Sequence, residues 1–188
     1  VVDVGDPPIW LGAVNAGMCE LAGELTHGVV THSTNSDPAF LAGVVRPALD
    51  RGAASAGRGA AAAIIASAAI ATGADDHAVA VDRERQRGML AFLYSTPAYA
   101  PALERRGLTE LADRLRAVVK EQQRWDDLPA VLTDDVLDQL LVSGRYDELP
   151  RILLARFGGL ARGVVLPPIT DRGDDGPLAA CVAELRAG

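Results

Sequence analysis

A chain of 188 residues has room for a sizeable hydrophobic core in one or two domains, and a single domain over residues 1–188 is the expectation. A formal net charge of −7 argues against general nucleic-acid binding. The densest basic set, Arg83, Arg85 and Arg87, alternates with Asp82 and Glu84 and suits a solvated helix face. Cys19 and Cys181 lie far apart without metal or redox spacing, so a reducing, cytoplasmic setting is expected rather than a disulfide scaffold. No secretory signal pattern opens the chain.

Ile9 to Val14 is an almost wholly apolar run that predicts a strand buried on both faces of a parallel sheet. Small residues break it. A helix is predicted from near Ala16, with Met18, Leu21, Ala22 and Leu25 as its buried stripe, before Gly28-Val29-Val30 restarts a strand running to His32. The intervening loop, Ala13-Val14-Asn15-Ala16-Gly17, lets backbone N–H groups approach a ligand, and the helix start behind it favours an anion. This loop is the first candidate site.

Ser33 to Pro38 carries turn residues and an N-cap candidate in Ser36 or Asp37. The helix after it keeps Phe40, Leu41, Val44, Val45, Ala48 and Leu49 at helical spacing, with Pro47 expected to kink or divide it. The run Ala60 to Ala71 is too short to span a membrane, and Ala62 to Ile70 within it predicts a third buried strand. Gly73 to Asp76 closes that strand and caps a helix from His77 to about Tyr94, whose apolar positions are Val79, Val81, Met89, Leu90, Phe92 and Leu93. Residues 97–141 form a helical insertion, with short helices over Tyr99 to Arg105, Thr109 to Gln123 and Asp134 to Leu141. A helix from Tyr146 to Phe157, a fourth strand from Gly163 to Leu166, a loop from Pro167 to Gly176 and a terminal helix from Pro177 to Ala187 complete the chain.

This alternation argues for an α/β fold with four parallel strands covered by helices, either a small open sheet or part of a (β/α)8 barrel. In a barrel, ligands gather at strand C-terminal ends: here Val14 to Gly17, Thr31 to Asn35, Ala71 to Asp75 and Leu166 to Thr170. Dinucleotide, Walker and serine-hydrolase fingerprints are absent. His27, His32 and His77 lack metal-ligand spacing, so no metal site is expected. Asp134-Asp135 and Asp174-Asp175 suit caps or solvated loop charge. His32, beside Thr31, Ser33, Thr34 and Asn35, is either a ligand contact or a loop histidine satisfied by its neighbours; His27 suits a structural role.

Ile9-Trp10-Leu11-Gly12-Ala13-Val14-Asn15, followed by Met18, Leu21 to Glu24 and Gly28-Val29, resembles the luciferase-like monooxygenase superfamily, and more closely its coenzyme F420-dependent oxidoreductase branch, common in actinobacteria. Val45 to Leu49, Ala91 to Tyr99 and Phe157 to Leu160 before Val164-Val165-Leu166 stand in the order expected of that family's C-terminal half. The resemblance implies the C-terminal half of a (β/α)8 TIM barrel. The chain starts at Val1 and enters a core strand within a few residues, so the first half is expected to be missing.

By resemblance, Ala13, Val14, Asn15, Ala16 and Gly17 would cradle part of coenzyme F420, or alternatively FMN, and Thr31 and His32 would approach the same cofactor. The implied reaction is hydride transfer to or from a small organic substrate. Family members commonly carry Pro-Arg where this chain has Ala16-Gly17, which removes a phosphate-facing arginine. By resemblance, the family's proton-donor and isoalloxazine-contacting residues lie largely in the half expected to be missing, so no catalytic residue is assigned here. An alternative of another class is a non-catalytic half-barrel that self-associates or packs on a partner chain through open strand edges.

Overall fold

In the computed structural model, which describes residues 7–59, 62–122, 124–169 and 171–188, strands and helices alternate along the first part of the chain. In order these are β1 (Trp10–Ala13), α1 (Ala16–Leu25), β2 (Gly28–Thr31), α2 (Pro38–Phe40), α3 (Arg46–Ser55), β3 (Ala63–Ala66) and β4 (Ile70–Ala71). They are followed by α4 (Asp76–Ser95), α5 (Ala100–Glu104), α6 (Thr109–Ala117), α7 (Leu128–Val131), α8 (Asp134–Leu140) and β5 (Val142–Ser143). Last come α9 (Leu149–Phe157), β6 (Gly163–Val164) and α10 (Asp175–Ala187). The chain divides into two compact units, Val1–Ala68 with Ala155–Leu166, and Ala69–Leu154 with Pro167–Gly188.

The first unit holds a four-stranded parallel sheet in the order β1-β2-β3-β6. The register sets Ala13 beside Thr31 and Val29 beside Ile64. β1 lies at the edge of this sheet, so only its Ala13 is buried, where burial on both faces was expected. The predicted third strand divides. Ala63–Ala66 joins this sheet, whereas Ile70–Ala71 pairs with β5 in the other unit, and an alanine-rich run carries no local signal for that break. Ala60, at the start of that run, lies outside the described residues, as do Gln123 and Thr170.

α1 packs on α3 through small residues. Cys19, Ala22 and Gly23 are buried on α1, and Ala48, Leu49, Gly52 and Ala53 on α3. A Cβ on Gly23 would run into the Leu49 carbonyl, and one on Gly52 into the Glu20 carbonyl, so the backbones meet directly. That contact corrects the expected stripe: Leu21 and Leu25 are exposed, Leu25 by 65%. Ahead of α3 the helix widens into a π turn over Leu41–Val45, with the Arg46 N–H bonding back to Leu41 O. Pro47, which has no N–H to donate, follows that turn, so the helix is divided near the predicted place.

In the second unit β4 and β5 form a two-stranded parallel sheet. One edge of the β4 segment accepts N–H groups from the β5 side: Val142 to Ala69 O at 2.9 Å, Gly144 to Ala71 O at 3.2 Å and Tyr146 to Gly73 O at 3.1 Å. The opposite edge is satisfied by α4. Gln86 Nε2 donates to Ile70 O at 2.8 Å, and the Thr72 N–H donates to Asp82 Oδ2 at 3.1 Å. Two side chains one helical turn apart thus take the place of a neighbouring strand.

Leu90 and Tyr94 of α4 pack with Leu103, Leu111, Leu115, Leu128 and Leu137 in the core of this unit. The expected apolar face of α4 is only partly right, because Val81, Met89 and Phe92 are exposed while Gln86, Ala91 and Ser95 are buried. The arginine set is corrected too. Arg85 is solvated beside Asp82, but Arg83 reaches Ser143 Oγ and Asp138, both at 2.7 Å. Arg87, with a side chain only 12% exposed, bonds Leu132 O, Asp134 and Glu84. The carbonyl of buried Leu132 and the exposed carboxylates of Asp134 and Asp138, all from distant sequence, hold these two guanidinium groups.

Candidate functional site

The parallel register of β1 and β2 brings Ala13 beside Thr31, so the chain leaves both strands at one end of the sheet. After β1, Val14 and Asn15 are exposed and the Asn15 Oδ1 accepts the Met18 N–H at 3.0 Å, capping α1. The Cys19 N–H bonds Asn15 O at 3.1 Å and begins the helical ladder. The N–H groups of Ala16 and Gly17 belong to the first turn, which a helix cannot pair internally. Gly17 leaves ordinary contact space around its Cα, so the loop backbone is open to close approach.

After β2, polar side chains tie the strand ends together. Thr31 is 3% exposed, with its Oγ1 2.5 Å from Ser36 Oγ and accepting the Ser67 N–H at 3.3 Å. The Ser36 hydroxyl is also within donating distance of His32 O at 2.9 Å and the Thr31 hydroxyl of Ile65 O at 3.4 Å, so either hydroxyl can donate in the bond between them. Thr31 therefore shapes the strand end rather than presenting a hydroxyl outward. The Asn35 Nδ2 donates to Val14 O at 3.2 Å and pins the loop after β1 to the turn after β2.

His32 Nδ1 accepts the Thr34 N–H at 3.4 Å and lies 2.9 Å from Thr34 Oγ1. A backbone N–H can only donate, so this contact assigns the ring proton to Nε2. Burial pushes the imidazole below its ordinary range, which favours the neutral form.

Ala13 to Gly17, Thr31 and His32 are thus neighbours at adjacent strand ends. Ala71 to Asp75 belong to the second unit, where Thr72 to Asp75 line a different cleft, and of Leu166 to Thr170 the last residue lies outside the described set. His27 sits at the other end of the sheet, where its Nδ1 accepts the Ile9 N–H at 3.0 Å, a structural role as expected. Asn35 was expected only as part of the Thr31 to Asn35 strand end and Ser36 only as an N-cap candidate, a role that Asp37 takes, and Ser67 was not singled out. The polar run after β2 signals the first two, whereas Ser67 is hidden in an alanine-rich stretch. No group of three or more His, Cys, Asp or Glu among the described residues is placed to hold a metal. No helix among the described residues is long and apolar enough to cross a membrane.

The luciferase-like monooxygenase family profile matches residues 2–157. Uncharacterized proteins of Mycobacterium bovis and Mycobacterium tuberculosis are each 32% identical over 160 residues, covering 85% of this chain and 46% of their own length. The solved coenzyme F420-dependent tetrahydromethanopterin reductase of Methanopyrus kandleri matches with a TM-score of 0.68 at 22% identity, over 93% of this chain and 49% of that one. At that identity the likeness shows the fold, the parallel α/β architecture of the TIM-barrel type. The chain spans about half the length of the curated relatives it matches.

Proposed function

Since the chain belongs to the luciferase-like monooxygenase family, we propose that the loop Ala13–Gly17, with Thr31 and His32, is part of a flavin-type cofactor site. Coenzyme F420 is the first candidate and FMN the second, in an oxidoreductase that acts on a small organic substrate in the cytoplasm. The observation that carries this reading is the Asn35 bond to Val14 O, which holds an otherwise exposed loop at the C-terminal end of two parallel strands. The F420-dependent solved structure of the same fold supports the first candidate.

The donor set fits a cofactor held without ion pairs. Ala13 to Gly17 offer no cationic side chain, so an anionic group would rest on backbone N–H groups at the start of α1. His32, neutral and protonated on Nε2, can donate to a carbonyl on a ring edge. Thr31, committed to Ser36 and Ser67, fixes the backbone of that edge. A bound deazaflavin supplies the hydride chemistry; these residues orient it. Separate fluorescence titrations of the folded chain with coenzyme F420 and FMN test the assignment. Tighter binding of F420 is expected, tighter binding of FMN would select the second candidate, and binding of neither would overturn the site.

A second reading, a half-barrel that pairs with another copy or a partner chain, is favoured by the exposure of Ile9, Leu21 and Leu25 beside the edge strand β1.

A further inference from the structure

β1 lies at the edge of its sheet. Edge strands are ordinarily blunted by a charge, a proline or a bulge, yet Ile9 to Val14 holds only apolar residues and glycine. From the geometry of this strand and of the α1 flank beside it, we propose that the β1 edge pairs antiparallel with the same edge of a second copy of the chain, across a two-fold axis at Leu11. The proposal rests on the half-barrel reading and names its partner.

The backbone sets the register. Ile9 turns both its main-chain groups to the β2 side, its N–H to His27 Nδ1 at 3.0 Å and its C=O to the His27 N–H at 2.9 Å. Successive residues of a strand alternate in the side they serve, so Leu11 and Ala13 face β2 while Trp10 and Gly12 turn their N–H and C=O groups to the open edge. Pairing centred on Leu11 sets Trp10 opposite the partner's Gly12, and such a pair exchanges both N–H···O bonds. A centre at Trp10 would instead set Gly12 against the partner's Pro8, which has no N–H to give. A centre at Gly12 would set Trp10 against the partner's Val14, whose carbonyl already accepts from Asn35 Nδ2 at 3.2 Å.

α1 supplies the side-chain half of the interface. It touches both β1 and β2, and it meets α3 through Gly23 and the Glu20 carbonyl. At about 100° per residue, Met18, Leu21 and Leu25 fall on the flank opposite α3, where Leu21 and Leu25 are exposed. That flank carries no charge. Glu20 turns to α3, its Oε2 3.1 Å from Arg51 Nη2, and Glu24 is exposed between the two flanks, so two copies meet without like-charge repulsion. Two α1 helices, each over its own β1–β2 pair, would lie two strand spacings apart, about 9.6 Å, which is within the roughly 8–10 Å of packed helices. Leu21 then meets its own counterpart and Leu25 meets the partner's Met18, the self-complementary arrangement that a two-fold requires. Ile9, Val14, Leu21 and Leu25 make an apolar patch of a few hundred Å², less than the roughly 800 Å² each partner gives to a standard interface. The dimer is therefore reversible, with a dissociation constant on the order of micromolar. β6, at the other edge, spans only Gly163–Val164 and offers a shorter ladder.

The test combines sedimentation velocity of the whole chain, from low to high micromolar concentration, with crosslinking of Leu21→Cys by copper phenanthroline. Cys19 and Cys181 are buried, and Val81→Cys, exposed in the second unit, is the control. A dimer that dissociates on dilution is expected, with Leu21→Cys crosslinking to itself several-fold faster than Val81→Cys. Gly12→Pro removes an N–H that serves no bond to β2 and should weaken the dimer roughly tenfold or more. Leu25→Lys, on the exposed flank, should do the same and covers the case in which Gly12→Pro does not fold. A monomer at every concentration would overturn the pairing together with self-association of any kind. A dimer in which Leu21→Cys crosslinks no faster than Val81→Cys, or which survives both Gly12→Pro and Leu25→Lys unchanged, would overturn the β1 pairing alone and leave the half-barrel reading to another face.

Discussion

Tyr146 shows how one residue couples packing to pH. Burial, then the bond to Asp174, pushes its phenol from an ordinary 10.0 up to about 12. The folded state therefore favours the protonated form, and the associated stability is complete below pH 10 and is lost as pH rises towards 12. Urea midpoints should fall over that alkaline interval in the parent chain and change less in Tyr146→Phe, which at neutral pH loses about 1 kcal/mol with its hydrogen bond. His32 has the opposite sign. Its folded value lies below the ordinary 6.5, so its contribution is complete above pH 6.5 and fades as pH falls through the lower folded value. Imidazole NMR should give a midpoint below 6.5; one at or above it would contradict the neutral His32 assigned to the candidate site.

At the scale of elements, the α1 to α3 contact depends on Gly23 and Gly52. Neither position has space for a Cβ, because the atoms in the way are backbone carbonyls on the facing helix. Gly23→Ala must push the helices apart and should destabilise the first unit by about 3 kcal/mol. Gly88, within α4, has open space around its Cα. Gly88→Ala should therefore stabilise the chain by about 1 kcal/mol through helix propensity. Chemical denaturation of the two variants distinguishes a packing contact from a loose helical glycine. The same logic explains α4 itself: its burial follows the need of β4 for edge partners, so Gln86 lies inside while Phe92 lies outside against Trp125, ring centroids 5.9 Å apart.

For the molecule as a whole, the four-stranded sheet ends in β1 on one side and β6 on the other, with Ile9, Leu21 and Leu25 exposed near β1. An unpaired parallel edge beside apolar side chains promotes association. Sedimentation velocity should reveal concentration-dependent dimers or larger species, reduced by Leu25→Lys. A monomer at every concentration would remove the half-barrel reading and leave the cofactor site to be judged by its titrations. The curated relatives are about twice as long and are matched over 46% of their length.

Local sequence was sufficient where the structure obeys local rules. The β1, α1, β2 order, the Asn15 loop, the division at Pro47 and the parallel strand pattern all follow from residue periodicity, capping chemistry and proline's missing N–H. Those same residues carried the family resemblance, which the profile match over residues 2–157 supports. Tertiary structure alone decided the rest. The break between Ala66 and Ile70 depends on which strands stand alongside, and the inward turn of Arg83 and Arg87 on acceptors about 45 to 60 residues away. Asn35 gained its place at the candidate site only when folding brought Val14 O within reach. A hydrogen bond satisfied across such distances leaves no periodic trace in the chain, because its partner is set by packing rather than by spacing.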